Sequence, residues 1–440
     1  VHHPTLPPAI LAPFVCLLLA IAIVPMLAPH FWESHRNKAI IAGALSIPVL
    51  AYFPLVLGDA GVHELVEKGA EYVSFMCLLG SLFIVTGGIR VGGSLSGTPL
   101  LNTAALGIGG VLANLIGTTG ASMLLIRPLL RANRARKQKT HIVIFFIFVV
   151  SNCGGLLTPL GDPPLFLGFL KGVPFEWTFR LWPAWLLVNG SLLLVFQIWD
   201  QIVFAREELE RPGSQLEEVQ QHEPLRIDGL HNVVFLLGIV ACILGSGRGW
   251  LHGGEPWPFG IQEGLMVAFA FAGYASTRPE IRSENGFGFG PIVEVAVLFA
   301  GIFATMAPVL MTLNAHAPAL GLTEPWHFFW VTGSLSSFLD NAPTYLTFAA
   351  TAAGLEGIPL EGRYLAELLA RGPAAEKLLA AISMGAVLMG ANSYIGNGPN
   401  FMVKAIAEEG GVGMPSFFGY MAYSVAILVP LFVVVSVVLL

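Results

Sequence analysis

Runs of apolar residues, each close to a bilayer in length, follow one another along most of this 440-residue chain. A hydrocarbon core of about 30 Å needs about 20 apolar residues in a helix. Ten segments come near that length: 9–28, 39–58, 70–90, 141–172, 180–204, 230–247, 259–277, 291–313, 377–406 and 414–439. In lipid each backbone N–H and C=O must be satisfied inside its own segment, so this pattern predicts an all-α polytopic membrane protein. Only 11% of the residues are charged, against about 25% in a soluble domain. A soluble enzyme, a disordered chain and a nucleic-acid binder are excluded on that ground. The net charge of −6 says little about partners, because loop asymmetry outweighs totals in such proteins.

The first run is long enough for a membrane helix and more spans follow it, which favours a first span over a signal segment. The opening Val1-His2-His3-Pro4 lacks a starting Met, which suits a processed, trimmed or alternative start, and reads as disordered. Cys16, Cys77, Cys153 and Cys242 lie in apolar runs without CxxC or Cys/His spacing. They read as small buried hydrophobes, not as disulfides or metal ligands.

Two apolar stretches break the pattern. Residues 98–130 (LANLIGTTGASMLLIRPLL) and 326–354 (SLSSFLDNAPTYLTFAATAAG) each have a small, polar centre between arms of 10–15 residues. Arms that short cannot cross, so each stretch is expected to be a re-entrant hairpin. The order of parts then repeats: three spans, a hairpin, a glycine-broken span and a final span. With five spans per half, the second half enters upside down. The expected units are a first inverted repeat over 9–204 with its broken helix at 141–172, and a second over 230–440 with its broken helix at 377–406. Between them lies a charged linker, 205–229. Such repeats are typical of secondary transporters.

The densest basic cluster, Arg131, Arg134, Arg136, Lys137 and Lys139, follows the first hairpin. Placing it in the cytoplasm puts 15 of the 22 Lys and Arg residues inside, the linker with them, and both termini outside. Only Lys68, Lys171, Arg180, Arg248, Arg363, Arg371 and Lys377 fall outside. The expected location is a bacterial-type inner or plasma membrane. The Trp pairs, Trp182 with Trp185 and Trp326 with Trp330, fit interfacial belts.

Non-helical backbone at membrane depth must line a cavity or be buried in protein. Four segments qualify. The hairpin tips carry Asn114, Thr118 and Thr119, and Asp340, Asn341, Pro343 and Thr344. The first broken span carries Ser151, Asn152, Gly154, Gly155, Thr158, Pro159, Gly161 and Asp162. The second carries Asn392, Ser393, Gly396, Asn397, Gly398, Pro399 and Asn400. Gly and Pro stop the helix and free carbonyls and N–H groups. Asn, Ser and Thr add neutral oxygens suited to a dehydrated cation, while half-helix N-termini suit an anion. Asn114, Asn152, Asp162, Asp340 and Asn341 are the sodium candidates. A charge at the membrane centre costs about 2.5–3.5 kcal/mol on insertion scales, so Asp162 and Asp340 default to function. The alternative for each is a helix cap. Glu71 and Glu294 open apolar runs and read as interfacial; Glu263, Glu324 and Asp59 read as interfacial or loop residues.

SNCGGLLTPLGDPP and SFLDNAPT, each beside a hairpin, resemble the ion transporter superfamily. Within it they look most like NhaD-type sodium/proton antiporters and a related citrate-transporter group. The resemblance implies ion binding at Ser151, Asn152, Gly154, Gly155, Pro159, Gly161 and Asp162, and at Asp340, Asn341 and Pro343, with Asn114 in the first tip. It also implies a homodimer with an elevator-like moving domain. This chain departs in placing Pro163-Pro164 after Asp162, where the antiporters tend to carry hydroxyls, and in its Asn-rich NSYIGNGPN.

The expected function is secondary active transport by alternating access, exchanging sodium or lithium for protons, with no cofactor beyond the transported ions. A buried Asp that holds a proton can release it to an arriving cation. The alternative is sodium- or proton-coupled symport of a di- or tricarboxylate such as citrate. A membrane-embedded enzyme is a remote third reading, since no HExxH, GxSxG or DDxxD-like cluster appears.

Overall fold

The computed structural model describes residues 6–93, 96–210, 224 and 226–440. The opening Val1-His2-His3-Pro4 and most of the 205–229 linker lie outside the described residues. In chain order the principal helices are α1 (Ala12–Leu27), α2 (His35–Tyr52), α3 (Asp59–Thr86), α4 (Pro99–Ala132) and α5 (Thr140–Val149). Then come α6 (Pro163–Leu170), α7 (Trp182–Glu210), α8 (Asn232–Gly247), α9 (Ile261–Ser276) and α10 (Gly290–Ala315). The last are α11 (Pro325–Ser336), α12 (Asn341–Leu355), α13 (Pro373–Met389), α14 (Gly398–Glu409) and α15 (Phe417–Leu439). Proline sets many of the starts. It occupies the first turn of α4, α6, α10, α11, α13 and α14, where its missing N–H has no helical partner to lose. A short antiparallel ribbon, β1 (Arg90–Gly92) with β2 (Arg226–Asp228), joins the end of α3 to the end of the linker.

The chain is an all-α polytopic membrane protein. Among the described residues nine helices are long and apolar enough to cross a membrane. They differ from the ten expected. Residues Pro99–Ala132, expected to be a hairpin, satisfy the length; α8 is shorter, and α9 does not reach it. At 16 residues each, α8 and α9 extend only about 24 Å.

α4 is two helical arms joined at Gly117, where the Thr118 N–H leaves the helix to bond the Gly161 carbonyl at 2.9 Å. Gly117 sits at φ 77, ψ 155, a conformation that a Cβ would oppose. Asn102 and Asn133 exchange amide hydrogen bonds of 3.0 and 2.8 Å, although a straight helix would hold them about 46 Å apart. The element therefore doubles back at Gly117, three residues after Asn114. α11 and α12 form the counterpart, packed on each other across the turn at 337–340.

The broken segments are innermost. Most residues of Thr140–Leu157 and of Pro373–Asn392 are buried, whereas His35–Leu57 and Phe417–Leu439 bury only a minority. The peripheral helices turn Leu19, Ile47, Leu55 and Val437 outward, as lipid-facing positions require.

Several single residues depart from expectation. Cys16 is exposed, not buried. Glu71 is drawn into an ion-pair cluster, pairing with buried Lys68 at 3.0 Å and also with buried Lys171. Glu263 is buried and accepts from Ser74 at 2.6 Å. Arg136 lies inside the bundle, 2.6 Å from Asp200, whose carboxylate also bonds His141 and Asn102. That cluster ties the open end of the α4 hairpin to α5 and α7. Its signal in the sequence was Asp200, alone in the apolar run FQIWDQIVF.

Candidate cation site

Each broken span loses its helix in the same way. Thr158 and Ser393 are extended (φ −138, ψ 155 and φ −141, ψ 170). Four residues on, Asp162 and Asn397 take the same extended shape immediately before α6 and α14 (φ −145, ψ 144 and φ −151, ψ 141). A pair of glycines six residues apart folds each loop tightly. A Cβ on Gly161 would lie 2.1 Å from the Gly155 carbonyl oxygen, and one on Gly396 2.6 Å from that of Gly390. No larger residue fits without moving backbone.

The hairpins close on these loops through matched contacts. Thr158 Oγ1 donates to the Asn114 carbonyl at 2.5 Å, and Ser393 Oγ donates to the Ser337 carbonyl. Four residues after those carbonyls come Thr118 and Asn341, and both reach Asp162. Thr118 Oγ1 donates to Oδ1 at 2.9 Å, Asn341 Nδ2 to Oδ2 at 2.5 Å, and Asn397 Nδ2 to Oδ1 at 3.0 Å. One buried carboxylate thus gathers donors from both hairpins and from the opposite broken span. None of the three donors is charged.

The other expected residues divide into braces and open oxygens. Asn114 is a brace: its Oδ1 accepts from Leu157 N at 2.8 Å and its Nδ2 donates to Gly110 at 3.1 Å. Ser151 shares a hydroxyl bond of 2.8 Å with Ser122, and its carbonyl accepts from Asn397. Asn400 donates to the Gly390 and Ser393 carbonyls, each at 2.9 Å. Thr344 donates to the Asp340 carbonyl at 2.8 Å. Asp340 is a helix cap, accepting from Ala342 N at 3.0 Å, and it is half-buried. Asp162 also precedes a helix but caps nothing; two residues on, where Asp340 finds the Ala342 N–H, Pro164 offers none. Asn152 donates to Asn400 at 2.7 Å, and Asn392 donates to Ser337 at 2.9 Å. The amide oxygens of Asn152, Asn341 and Asn392 are buried without a hydrogen-bond partner. Such an acceptor, cut off from water, costs about 1–3 kcal/mol, and a bound cation would remove that cost.

Beside Asp162 lies a cavity of about 70 Å³, room for about two waters. The α4 tip (Gly117 to Gly120), Gly161 and Pro163 form one wall. Leu79, Leu82 and Phe83 of α3 and Pro291, Ile292 and Val295 of α10 form the other. Thr119 lines this cavity. No Lys or Arg does.

Four partners of the site were not expected. Trp185, read as part of an interfacial belt, donates to the Gly154 carbonyl at 2.8 Å, and Asn189 donates to that of Cys153 at 3.1 Å. Tyr420 and Ser424 serve the second loop likewise, at the Ala391 and Asn392 carbonyls (2.9 and 2.7 Å). Each pair is spaced i, i+4 on the whole span that follows its loop. Asn189 within an apolar run was the available signal.

The sequence profile of a protein family described as "Putative citrate transport" matches residues 3–440. No curated protein matches the chain. With nearly the whole length matched and apolar helices throughout, the chain belongs to this citrate transport family of the ion transporter superfamily, as an integral membrane transport protein and not an enzyme.

Proposed function

We propose that this secondary transporter exchanges sodium or lithium for protons, with Asp162 as the group that holds either ion. The observation that carries the reading is the buried Asp162 carboxylate, met only by neutral donors, one of which, Asn341, has an amide oxygen that lacks a partner. A proton on the carboxylate and a cation against it satisfy the same charge, so one displaces the other. The candidate ligands are Asp162, Asn152 and Asn341, with Thr118 as positioning residue. Asn114 and Asp340 act by bracing the loops. The matched loops support two inverted halves, 9–204 and 230–440, carrying the site between them, and a homodimer with both termini outside completes the proposal. Purified protein in liposomes under an imposed pH gradient tests it. Sodium or lithium should dissipate the gradient, and no cation-dependent proton movement from neutral to alkaline pH would sink the reading.

The family match favours a second reading, in which the same cation site drives symport of a di- or tricarboxylate. Uptake of labelled citrate, driven by a sodium or proton gradient, separates the two. Cation exchange without uptake leaves only the first.

A further inference from the structure

α6 has two ends. Asp162 precedes one, beside the 70 Å³ cavity, which has no cationic side chain in its lining. About 12 Å along this eight-residue helix, Phe169 opens on a second cavity of about 130 Å³. Its apolar wall includes Phe169, Phe175 and Leu244; its polar wall is Arg248, Arg363 and Glu176.

The two arginines come from separate parts of the chain, one just after α8 and one ahead of α13. The Arg363 side chain has no hydrogen-bond or ion-pair partner among the described residues. Its seat is shaped for it: Gly172 sits at φ +100, and a Cβ there would lie 2.7 Å from the Arg363 Cβ. Arg248 reaches Glu176 at 3.3 Å, with both side chains 53% exposed. An exposed pair of that kind contributes little and is readily traded for a ligand that guanidinium holds better. Two guanidinium groups against one carboxylate leave a net positive cavity. Guanidinium forks match carboxylates in charge and in bidentate geometry.

We infer that this second cavity is a vestibule that captures a small di- or tricarboxylate through Arg363 and Arg248. The inference rests on the carboxylate reading above. The central cavity offers a polyanion no countercharge, and the vestibule supplies it at the other end of the helix that Asp162 precedes. Positive-inside topology puts Arg248 and Arg363 on the outer face, where substrate arrives.

The test is equilibrium binding of labelled citrate to the full-length protein in detergent, in sodium-free choline buffer. Wild type should bind saturably, and more weakly as choline chloride rises. Arg363→Gln should weaken binding about tenfold or more, Arg363→Lys less, and Arg248→Gln with Arg363→Gln should abolish it, with melting temperatures holding as a folding control. Asp162→Asn should bind citrate as wild type does while losing cation exchange. No saturable binding by wild type would overturn the vestibule, and so would full affinity in the double variant. Inorganic phosphate competing as well as citrate would overturn carboxylate selection. Binding that the double variant loses, without citrate uptake by wild type, would support the vestibule and sink only the symport reading.

Discussion

The two broken loops share a backbone and differ in one charge. Thr158-Pro-Leu-Gly161-Asp162 and Ser393-Tyr-Ile-Gly396-Asn397 match in dihedral angles, in glycine pairing and in the hydroxyl that fixes each to a hairpin carbonyl. Where the first loop ends on an acid, the second ends on its amide, which donates to that acid at 3.0 Å. Two carboxylates facing each other in so dry a place would repel. The pair of loops therefore divides the work: one supplies the charge, the other an uncharged donor that holds it in place. On the proposed exchange reading, symmetric framing with asymmetric chemistry would yield a single ion position where a strictly symmetric pair would yield two competing ones.

The largest expected effect tests that division directly. Asp162→Asn should abolish cation-dependent proton movement in liposomes, because the only carboxylate common to all three donors is gone. Asn397→Asp breaks the asymmetry from the other side. Placing a second acid against Asp162 should lower the melting temperature of the purified protein, and sodium should raise it by more than in wild type, since a cation now relieves repulsion as well. Equal sodium responses in Asn397→Asp and wild type would mean that no cation sits between the loops.

The shared framing has its own test. Gly161→Ala and Gly396→Ala each drive a methyl into a facing carbonyl, at 2.1 and 2.6 Å, so each should cost about 1–3 kcal/mol or more through overpacking. Thermal melting should show Gly161→Ala as the worse of the two. A tolerated Gly161→Ala would mean that the first loop is not held in the shape that aims Asp162.

How much of this was legible in the sequence follows from where each signal resides. Most of the spans were, since hydropathy over a bilayer length is a local property; the short α8 and α9 were not. Asp162 stood out as a charge among Gly and Pro inside an apolar run. Asp340 stood out for the same reason, yet its role did not. Both acids precede a helix with proline nearby, and the fold shows Asp340 capping the Ala342 N–H while Asp162, two residues before Pro164, caps nothing. Asn114 looked like a ligand because its neighbours looked like a tip; the reversal at Gly117 makes it a brace. Trp185, Tyr420 and Ser424 were hidden, because the carbonyls they satisfy are freed by distant breaks, and only Asn189 left a signal in its apolar run. The α3 and α10 side chains of the cavity wall are apolar, and composition alone does not separate them from lipid-facing ones.

A smaller effect is expected where the loops are alike. Thr158→Val and Ser393→Ala each remove one hydroxyl from a hairpin carbonyl, a loss of about 1 kcal/mol apiece. The two should match in melting temperature. In exchange rate, Thr158→Val should be the more harmful, because only its loop carries the charge. Equal losses of rate would mean that the second loop positions the ion as much as the first.

The smallest effect should come from the other acid. Asp340 accepts from Ala342 N at the start of α12, a task that Asn performs about as well. Asp340→Asn should then leave both stability and exchange near wild type, while Asp340→Ala, which cannot cap, should cost about 0.5–2 kcal/mol. The two substitutions separate shape from charge, because both remove the charge and only one removes the cap. If Asp340→Asn melts like wild type but no longer exchanges cations, the negative charge of Asp340 serves the ion, and the site is a two-carboxylate pair spread over both halves. The asymmetry between Asp162 and Asn397 would then be compensated one element away, at the tip of the second hairpin. If stability alone follows the cap, Asp162 carries the exchange unaided.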